Sequence, residues 1–431
     1  MATFGRMMGL PDLDPDLKGR PMGILMSRPI TCSSCCLVIL MMVHATCVFA
    51  APPAVHSSQP AQPPRVVELE EMWRVGGADD EHIFGLMIDA RCDEDGNIYL
   101  LDQQLSRVTV VSPSGDYVRE LGGEGDGPGE CRTPQTMVLL PDGTVGLGQR
   151  FPGRFIKVRR DGEPAGSVDI GGADAATEGY TMLVSGRARG GTFLVGTLHQ
   201  VPGDGGQSRN SYLMGLAPTG EELTRFGEAR TYLDFQKAHF VEREMVAPFI
   251  AASAVGPDGK VYLVPDRNRY AIDVFEADGT PARVISRDFD NPPRDQQTLD
   301  RMNALFEEQD RALPFRITWE VEPCEQAVGG MTVTADNELW VAHARSGLDL
   351  PEGVFQRYDV FSEDGQWARE LHVRCEADPD HDGLIFLDDG RVLLVKGLQL
   401  ARLTASGNGG AVTEEEDGAW AIEVICCRLK G

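Results

Sequence analysis

Positive charge is what this sequence has least of. Its 431 residues hold 40 lysines and arginines against 66 aspartates and glutamates, a formal net charge of −26. Nucleic-acid binding needs a concentrated basic face, and docking on anionic lipid needs the same sign, so neither is expected. A self-repelling, soluble surface is. Long apolar runs are missing too. The stretch LVILMMVHATCVFA (37–50) stops at fourteen residues, short of the roughly 20 that a membrane span requires. No Gly-x-Ser-x-Gly elbow occurs. No His-x-x-x-His or Cys-x-x-Cys spacing accompanies His199 or His343 to suggest zinc. The hydrophobic fraction, 42%, is nevertheless enough for a core.

The run at 37–50 suits the apolar centre of a secretion signal, flanked by Arg28 and ending in Val48-Phe49-Ala50, which resembles a small-residue cleavage site. Residues 1–25 carry three aspartates, odd for a signal, so the start is expected at Met26. A retained membrane anchor is the competing reading. Residues 51–65 read as a Pro-rich linker. The expected location is periplasmic or extracellular. Six of the ten cysteines follow residue 50, and an even number in an exported chain permits disulfides. A Cys324–Cys375 bridge would contribute about 4 kcal/mol in the chain-entropy view; two separate thiols are the alternative. Cys92 is a possible partner for Cys426 or Cys427.

Turn signals dominate 66–431. One series is Asp95-Gly96, Asp142-Gly143, Gly190-Gly191, Asp258-Gly259, Asp336-Asn337 and Asp389-Gly390. A second is Ser114-Gly115, Asp161-Gly162, Thr219-Gly220, Asp278-Gly279, Asp364-Gly365 and Ser406-Gly407. Such dipeptides between short β-rich runs (IYLLD, VTVVS, VYLVP, IDVFE, LWVAH, YDVFS) signal hairpins. Each unit reads strand, tight turn, strand, loop, strand, tight turn, strand. Six units imply six four-stranded sheets, and the radial arrangement that protects their edges is a β-propeller. The fold class is therefore all-β, a six-bladed propeller over 66–431. The sixth unit lacks an outer strand. Residues 66–75 (VVELEEMWRV) are expected to supply it and close the ring, with 419–429 adding to the same blade. An insertion at 289–327, between blades four and five, carries a helical pattern over 294–313 with Leu299, Met302, Leu305 and Phe306 on one side, expected to pack on the propeller.

The loop GGEGDGPGE (122–130) follows an outermost strand and precedes an innermost one. It ends Glu130-Cys131-Arg132, not Gly-Lys-Ser/Thr, and no helix follows, so it reads as a structural corner and not a phosphate cradle. Together, CDEDGNIYLLD…RVTVVSPSGDYVRELGGEGDGPGE resembles the exported bacterial six-bladed propellers related to NHL repeats, with Cys131 where that family commonly has Phe. The resemblance implies the architecture and no particular chemistry.

The tight turns share one rim. Length variation gathers on the opposite face, in loops 198–210 and 344–353 and crossings 227–247 and 289–327, where binding residues are expected. Strand-two ends give the ring Asp102, Gln149, Thr197, Pro265, His343 and Lys396. With Arg107, Arg150, Arg154, His199, Asp266, Arg267, Arg269 and Arg345 nearby, this face is the candidate site for a small anionic ligand, gripped bidentately by arginine, or for a protein partner. The competing reading pairs these arginines with acids between blades. No cofactor is expected on the binding reading; a propeller lyase or lactonase with a divalent metal near the axis is the second. Asp93-x-Asp95-Gly96-Asn97 lacks the calcium-loop positions of glycine and glutamate and reads as a hairpin turn.

Overall fold

The computed structural model describes residues 51–431 apart from 79, 81, 171–178, 314 and 406–421. The expected targeting segment 1–50 with its start at Met26, and the turn Ser406-Gly407, lie outside these residues. Two strands lead, β1 (Ala54–Ser57) and β2 (Arg65–Gly76). Three four-stranded antiparallel sheets follow: β3 (Met87–Cys92), β4 (Ile98–Asp102), β5 (Arg107–Val111) and β6 (Tyr117–Gly122); β7 (Pro134–Leu139), β8 (Thr144–Gln149), β9 (Arg154–Arg159) and β10 (Pro164–Asp169); β11 (Tyr180–Arg189), β12 (Thr192–Gly203), β13 (Gly206–Leu216) and β14 (Glu222–Asp234). Then come β15 (His239–Val241), helix α1 (Pro248–Ala251), β16 (Ser253–Val255), β17 (Val261–Leu263), β18 (Ala271–Phe275), β19 (Pro281–Arg287), helix α2 (Gln296–Ala312) and β20 (Thr318–Glu320). The chain finishes with β21 (Val328–Val333), β22 (Leu339–His343), β23 (Val354–Phe361), β24 (Trp367–Arg374), β25 (Gly383–Phe386), β26 (Val392–Lys396), helix α3 (Leu398–Ala405) and β27 (Glu423–Lys430).

The arrangement is all-β and propeller-like, with four-stranded blades. Strand β2 lies between two of them. Its first residues, Arg65–Glu68, pair parallel with Leu371–Arg374, and the rest pairs antiparallel with β27, fusing two four-stranded runs into one eight-stranded sheet. The N-terminal strand and the C-terminal strand therefore share a sheet, with β27 inside and β2 outside. Cores form between successive sheets. Phe155 of the second meets Leu183 and Phe193 of the third; Ile272 of the fourth run meets Val341 and Phe361 of the next. Leu393, Val395 and Val424, near the C-terminus, share a cluster with Met87 and Leu100 of the first sheet.

The turn chemistry accounts for the hairpins. Within the described residues, each glycine or asparagine of the two turn series has positive φ, from 55° at Gly190 to 97° at Gly162. At Gly220 (φ 91°) a Cβ would also lie 2.7 Å from the carbonyl oxygen of Asp169, so the contact between second and third sheets needs glycine twice over. The loop at 122–130 is a corner closed by its own bonds. Cys131 N–H donates to Gly123 O at 2.9 Å and Gly127 N–H to Glu130 Oε2 at 2.9 Å.

Three expectations need correction. Part of the 51–65 linker is strand. β1 adds parallel to the outer edge of β19, Ala61 and Gln62 N–H donate to Trp367 and Ala368 O, and prolines on either side cost nothing at an edge where only one side of the backbone is paired. The long loop at 198–210 is a hairpin continuation, paired from Leu198–Ser211 to Gly203–Gly206, because Asp204-Gly205 makes a tight turn that extends β12 and β13 beyond the blade. Helix α2, capped by Asp295 accepting from Thr298 N–H at 2.7 Å, packs off the blades. Its buried Phe306 stacks on Trp319 (centroids 6.0 Å) and joins Ala238, Phe240 and Ile317 on the two-stranded sheet of β15 and β20.

Candidate functional site

Innermost strands line the axis. Ala90–Cys92, Arg187–Arg189, Ala254–Val255, Met331–Val333 and Phe386–Asp388 enclose a cavity of about 60 Å³. All five stretches immediately precede tight turns. A wider basin of about 590 Å³ shares Arg91, Cys92, Arg189 and Asp388 and adds the turn residues Asp93, Glu94, Gly190, Pro257 and Ala335. The cavity thus opens on the tight-turn rim, opposite the face with the long loops. None of its lining comes from 289–327.

Its polar lining is cationic. The Arg91 guanidinium bonds the Asp89 carboxylate and the Ala90 carbonyl. Arg189 Nε sits 3.2 Å from Asp388 Oδ1, and its Nη1 donates to Val333 O. Arg187 has no ion-pair partner among the described residues; Arg402, on α3, is not part of the lining, and its Nε donates to Ile88 O at 3.3 Å. Both side chains are exposed to solvent, and the Arg91 guanidinium lies within electrostatic range of each. Helix α3 is anchored by Leu398 and Ala401, which bury against β3.

The residues selected from sequence are spread among local partners. Asp102, fully buried, accepts N–H bonds from Gly85 (2.6 Å), Leu86 (3.1 Å) and Leu105 (3.0 Å) and is a backbone cap. Arg107 pairs with Glu120 at 2.9 Å, Arg267 with Glu242 at 3.2 Å, Arg345 with Asp290 at 3.2 Å and Lys396 with Asp382 at 2.9 Å. His199 Nδ1 bonds Thr181 Oγ1 at 2.9 Å, and Asp266 closes its own turn onto Asn268 N–H. Arg150 and Arg269 are exposed; Arg154 is half-buried. Of these, the Arg345 backbone N–H donates to His343 Nδ1 at 3.2 Å; the bonds and ion pairs of the others are to separate local partners. The physical reason is geometric: strand two lies one strand spacing, about 4.8 Å, further from the axis than strand one. Aligning the last residues of the first strands, rather than the second, picks out Arg91, Arg187 and Arg189.

His343 belongs to a separate buried group. Asp359 Oδ2 accepts from Tyr270 Oη (2.6 Å) and Arg287 Nε (2.7 Å), His343 Nε2 is 3.6 Å away, and Arg287 lies over the rings of Tyr270, Phe289 and Trp367. Burial, then the charges of Arg287, Arg357 and Arg345, push His343 down to about 3, while burial pushes Asp359 up to about 6. An imidazole depressed on folding binds its proton more readily in the unfolded chain. Its stabilising contribution is present above pH 6.5 and is lost as pH falls toward 3, by at most about 1.4 kcal/mol per pH unit. Asp359 works in the opposite sense, losing stability as pH rises toward 6. Denaturant unfolding of His343→Gln should therefore show a shallower loss of stability than the native chain between pH 6.5 and 4.5; an unchanged slope would contradict this assignment.

Among the described residues, no group of three or more His, Cys, Asp or Glu side chains could hold a metal ion. Asp102, His199, Asp266 and His343 stand apart with partners of their own, so the donor set for an axial metal is not assembled. Cys92, Cys131, Cys324, Cys375, Cys426 and Cys427 are all free thiols; neither the Cys324–Cys375 bridge nor a Cys92 bridge forms. No helix among the described residues is long and apolar enough to cross a membrane.

No protein-family profile matches the chain, and no curated protein matches it. Solved structures do. A member of the DUF4221 family from Bacteroides vulgatus ATCC 8482 aligns with TM-score 0.45 and 10% identity, over 85% of this chain and 99% of that one. A protein from Bacteroides fragilis NCTC 9343, provisionally classed as exported, aligns with TM-score 0.42 and 12% identity, over 88% and 99%. The calcium-binding protein regucalcin from Agrobacterium tumefaciens C58 aligns with TM-score 0.41 and 13% identity, over 85% and 96%. At these identities and scores the likeness carries nothing about activity.

Proposed function

We propose that the chain is an exported six-bladed propeller that binds a small ligand in its axial channel, entered from the tight-turn rim. The count of six assigns one sequence unit to each four-stranded run, the last being β25–β27 with β2 outermost, and places the helical insertion between the fourth and fifth. The observation that carries the binding reading is Arg187: a guanidinium that lines the axial cavity without an ion-pair partner among the described residues. An arginine at the axis without a carboxylate partner is available to a ligand. The sequence expectation of an anionic ligand is kept, and its place moves from the loop-decorated face to the axis.

The test is a thermal-shift panel of small carboxylates, phosphates, amino acids and sugars on the full chain, with two variants. Ala188→Phe fills the cavity; Arg345→Ala alters the loop-decorated face. A saturable stabilisation that vanishes in Ala188→Phe and persists in Arg345→Ala is the expected result. The reverse pattern would return the site to the decorated face.

A further inference from the structure

We infer that the Arg189 side chain is the bolt of a gate at the tight-turn mouth of the axial cavity. This rests on the axial reading above and adds how entry is controlled. Two voids meet at that mouth. The cavity of about 60 Å³ and the basin of about 590 Å³ share Arg91, Cys92, Ala188, Arg189 and Asp388 as lining, so these residues form the partition between them. Arg189 ends β11, which packs beside the innermost strands β7 and β16. Its guanidinium reaches beyond both. Nη1 donates to Val333 O, at the end of β21. Nε lies 3.2 Å from Asp388 Oδ1, and Nη2 donates to Asp388 O at 3.4 Å, in the turn that follows β25. One side chain thus ties the third sheet to both halves of the eight-stranded sheet, across the opening that they line.

The backbone under this side chain is fixed. Arg189 pairs with Thr192 across the Gly190-Gly191 turn, and a Cβ on Gly190 would lie 2.6 Å from Pro257 O, so the turn is wedged against the next run of strands. The side chain is free to leave. Its ion-pair partner, the Asp388 side chain, is 48% exposed and keeps its hydration when the arginine swings away. Arg294 is the contrast: it holds the largely buried Glu242 carboxylate and cannot be withdrawn without stranding it. An ion pair with a hydrated partner contributes little and weakens further as salt is added. Such a tie closes a passage without fixing it. Rotation of Arg189 into the basin joins the two voids, and its return to Val333 and Asp388 shuts them apart again.

Thr332 and Ala254 line the cavity but not the basin. Thr332→Cys in the full chain therefore reports passage through the partition, and Ala254→Cys is the second reporter should the first fold poorly. Alkylation by iodoacetamide, an uncharged reagent, is followed at each thiol by peptide mass spectrometry, with Cys324 in the insertion as the internal control. Adding Arg189→Ala should speed alkylation at the reporter by about ten-fold or more and leave the Cys324 rate unchanged. Asp388→Asn should act in the same direction by a smaller factor. Added sodium chloride should speed the reaction where Arg189 is present and not in Arg189→Ala. Equal rates with and without Arg189 overturn the inference. So does a lower unfolding temperature in Arg189→Ala with no change in alkylation, which would make the arginine a structural tie. The axial reading fails separately. A gated reporter with no ligand lost in Ala188→Phe removes that reading and leaves the gate; a ligand lost in Ala188→Phe with equal alkylation rates keeps the reading and removes the gate.

Discussion

Phe155→Ala should destabilise the protein by about 3–5 kcal/mol, near the upper end for a core aromatic. Phe155 sits on β9 with no exposed surface, edge-to-face with Phe193 at 5.3 Å, in the layer between second and third sheets. Its surroundings were cleared for it by glycine. A Cβ at Gly186 would lie 2.7 Å from the ring, and one at Gly148 3.0 Å. The cost of a truncation depends on how far neighbours relax into the space. Backbone without side chains cannot swing inward, so the cavity persists and the penalty stays high. Urea unfolding gives the comparison, with Phe155→Leu expected to lose substantially less. A loss under 1 kcal/mol for the alanine variant would mean that the two sheets do not depend on this ring.

The same glycines show why so much of the fold was legible and why the site was not. Turn positions are local. Asp142-Gly143 or Asp336-Asn337 demands positive φ whatever the rest of the chain does, and both hold it, at 82° and 60°. Strands such as IYLLD, buried at all five positions, read as sheet cores from the apolar run alone. Other features needed long-range information. Residues 51–65 look like a tether until the open edge of β19, some 230 residues away, offers a partner. The helical pattern at 294–313 marked Phe306, the one buried residue of the helix, but not what it meets, because the satellite sheet of β15 and β20 is built from two segments that neither carry a repeat signal nor lie adjacent in sequence. Site residues depend on radius. Arg107, Arg267, Arg345 and Lys396 lie near the strand-two ends in sequence, but their charges are spent on Glu120, Glu242, Asp290 and Asp382. Arg402 follows the sixth unit's second strand in a short helix, and only packing of that helix on β3 brings its guanidinium to the Ile88 carbonyl.

Arg294→Met should be the most damaging change outside the blades, about 3–5 kcal/mol, because it strands the largely buried Glu242 carboxylate. The Arg294 side chain is 4% exposed. It bonds Glu242 through Nη1 and Nη2 at 2.7 and 2.8 Å, Glu325 through Nε at 2.8 Å and Nη2 at 2.9 Å, and the Glu322 carbonyl at 3.1 Å. Glu242 also accepts from Glu322 N–H at 2.9 Å and from Arg267 at 3.2 Å. This network ties the crossing at 289–327 to the one at 227–247. Burial acts to raise the Glu242 carboxyl, but the bonds from Arg294 and Glu322 outweigh it and hold it below the ordinary carboxylate range. A carboxyl depressed on folding gives stability that is present above about pH 4.5 and lost as pH falls below it. With methionine at 294 the depression goes, and protonation relieves the stranded charge. The deficit of the variant should therefore be largest near pH 7 and shrink toward pH 4, the opposite of what a simple packing defect would give. Hydrogen exchange adds where the damage lies: faster exchange in α2, β15 and β20, with the inner strands β3 and β11 unchanged. Since α2 contributes nothing to the axial lining, any saturable ligand stabilisation of the native chain should persist in this variant while the insertion opens, and a parallel loss of both would mean that the insertion and the axis are mechanically one unit.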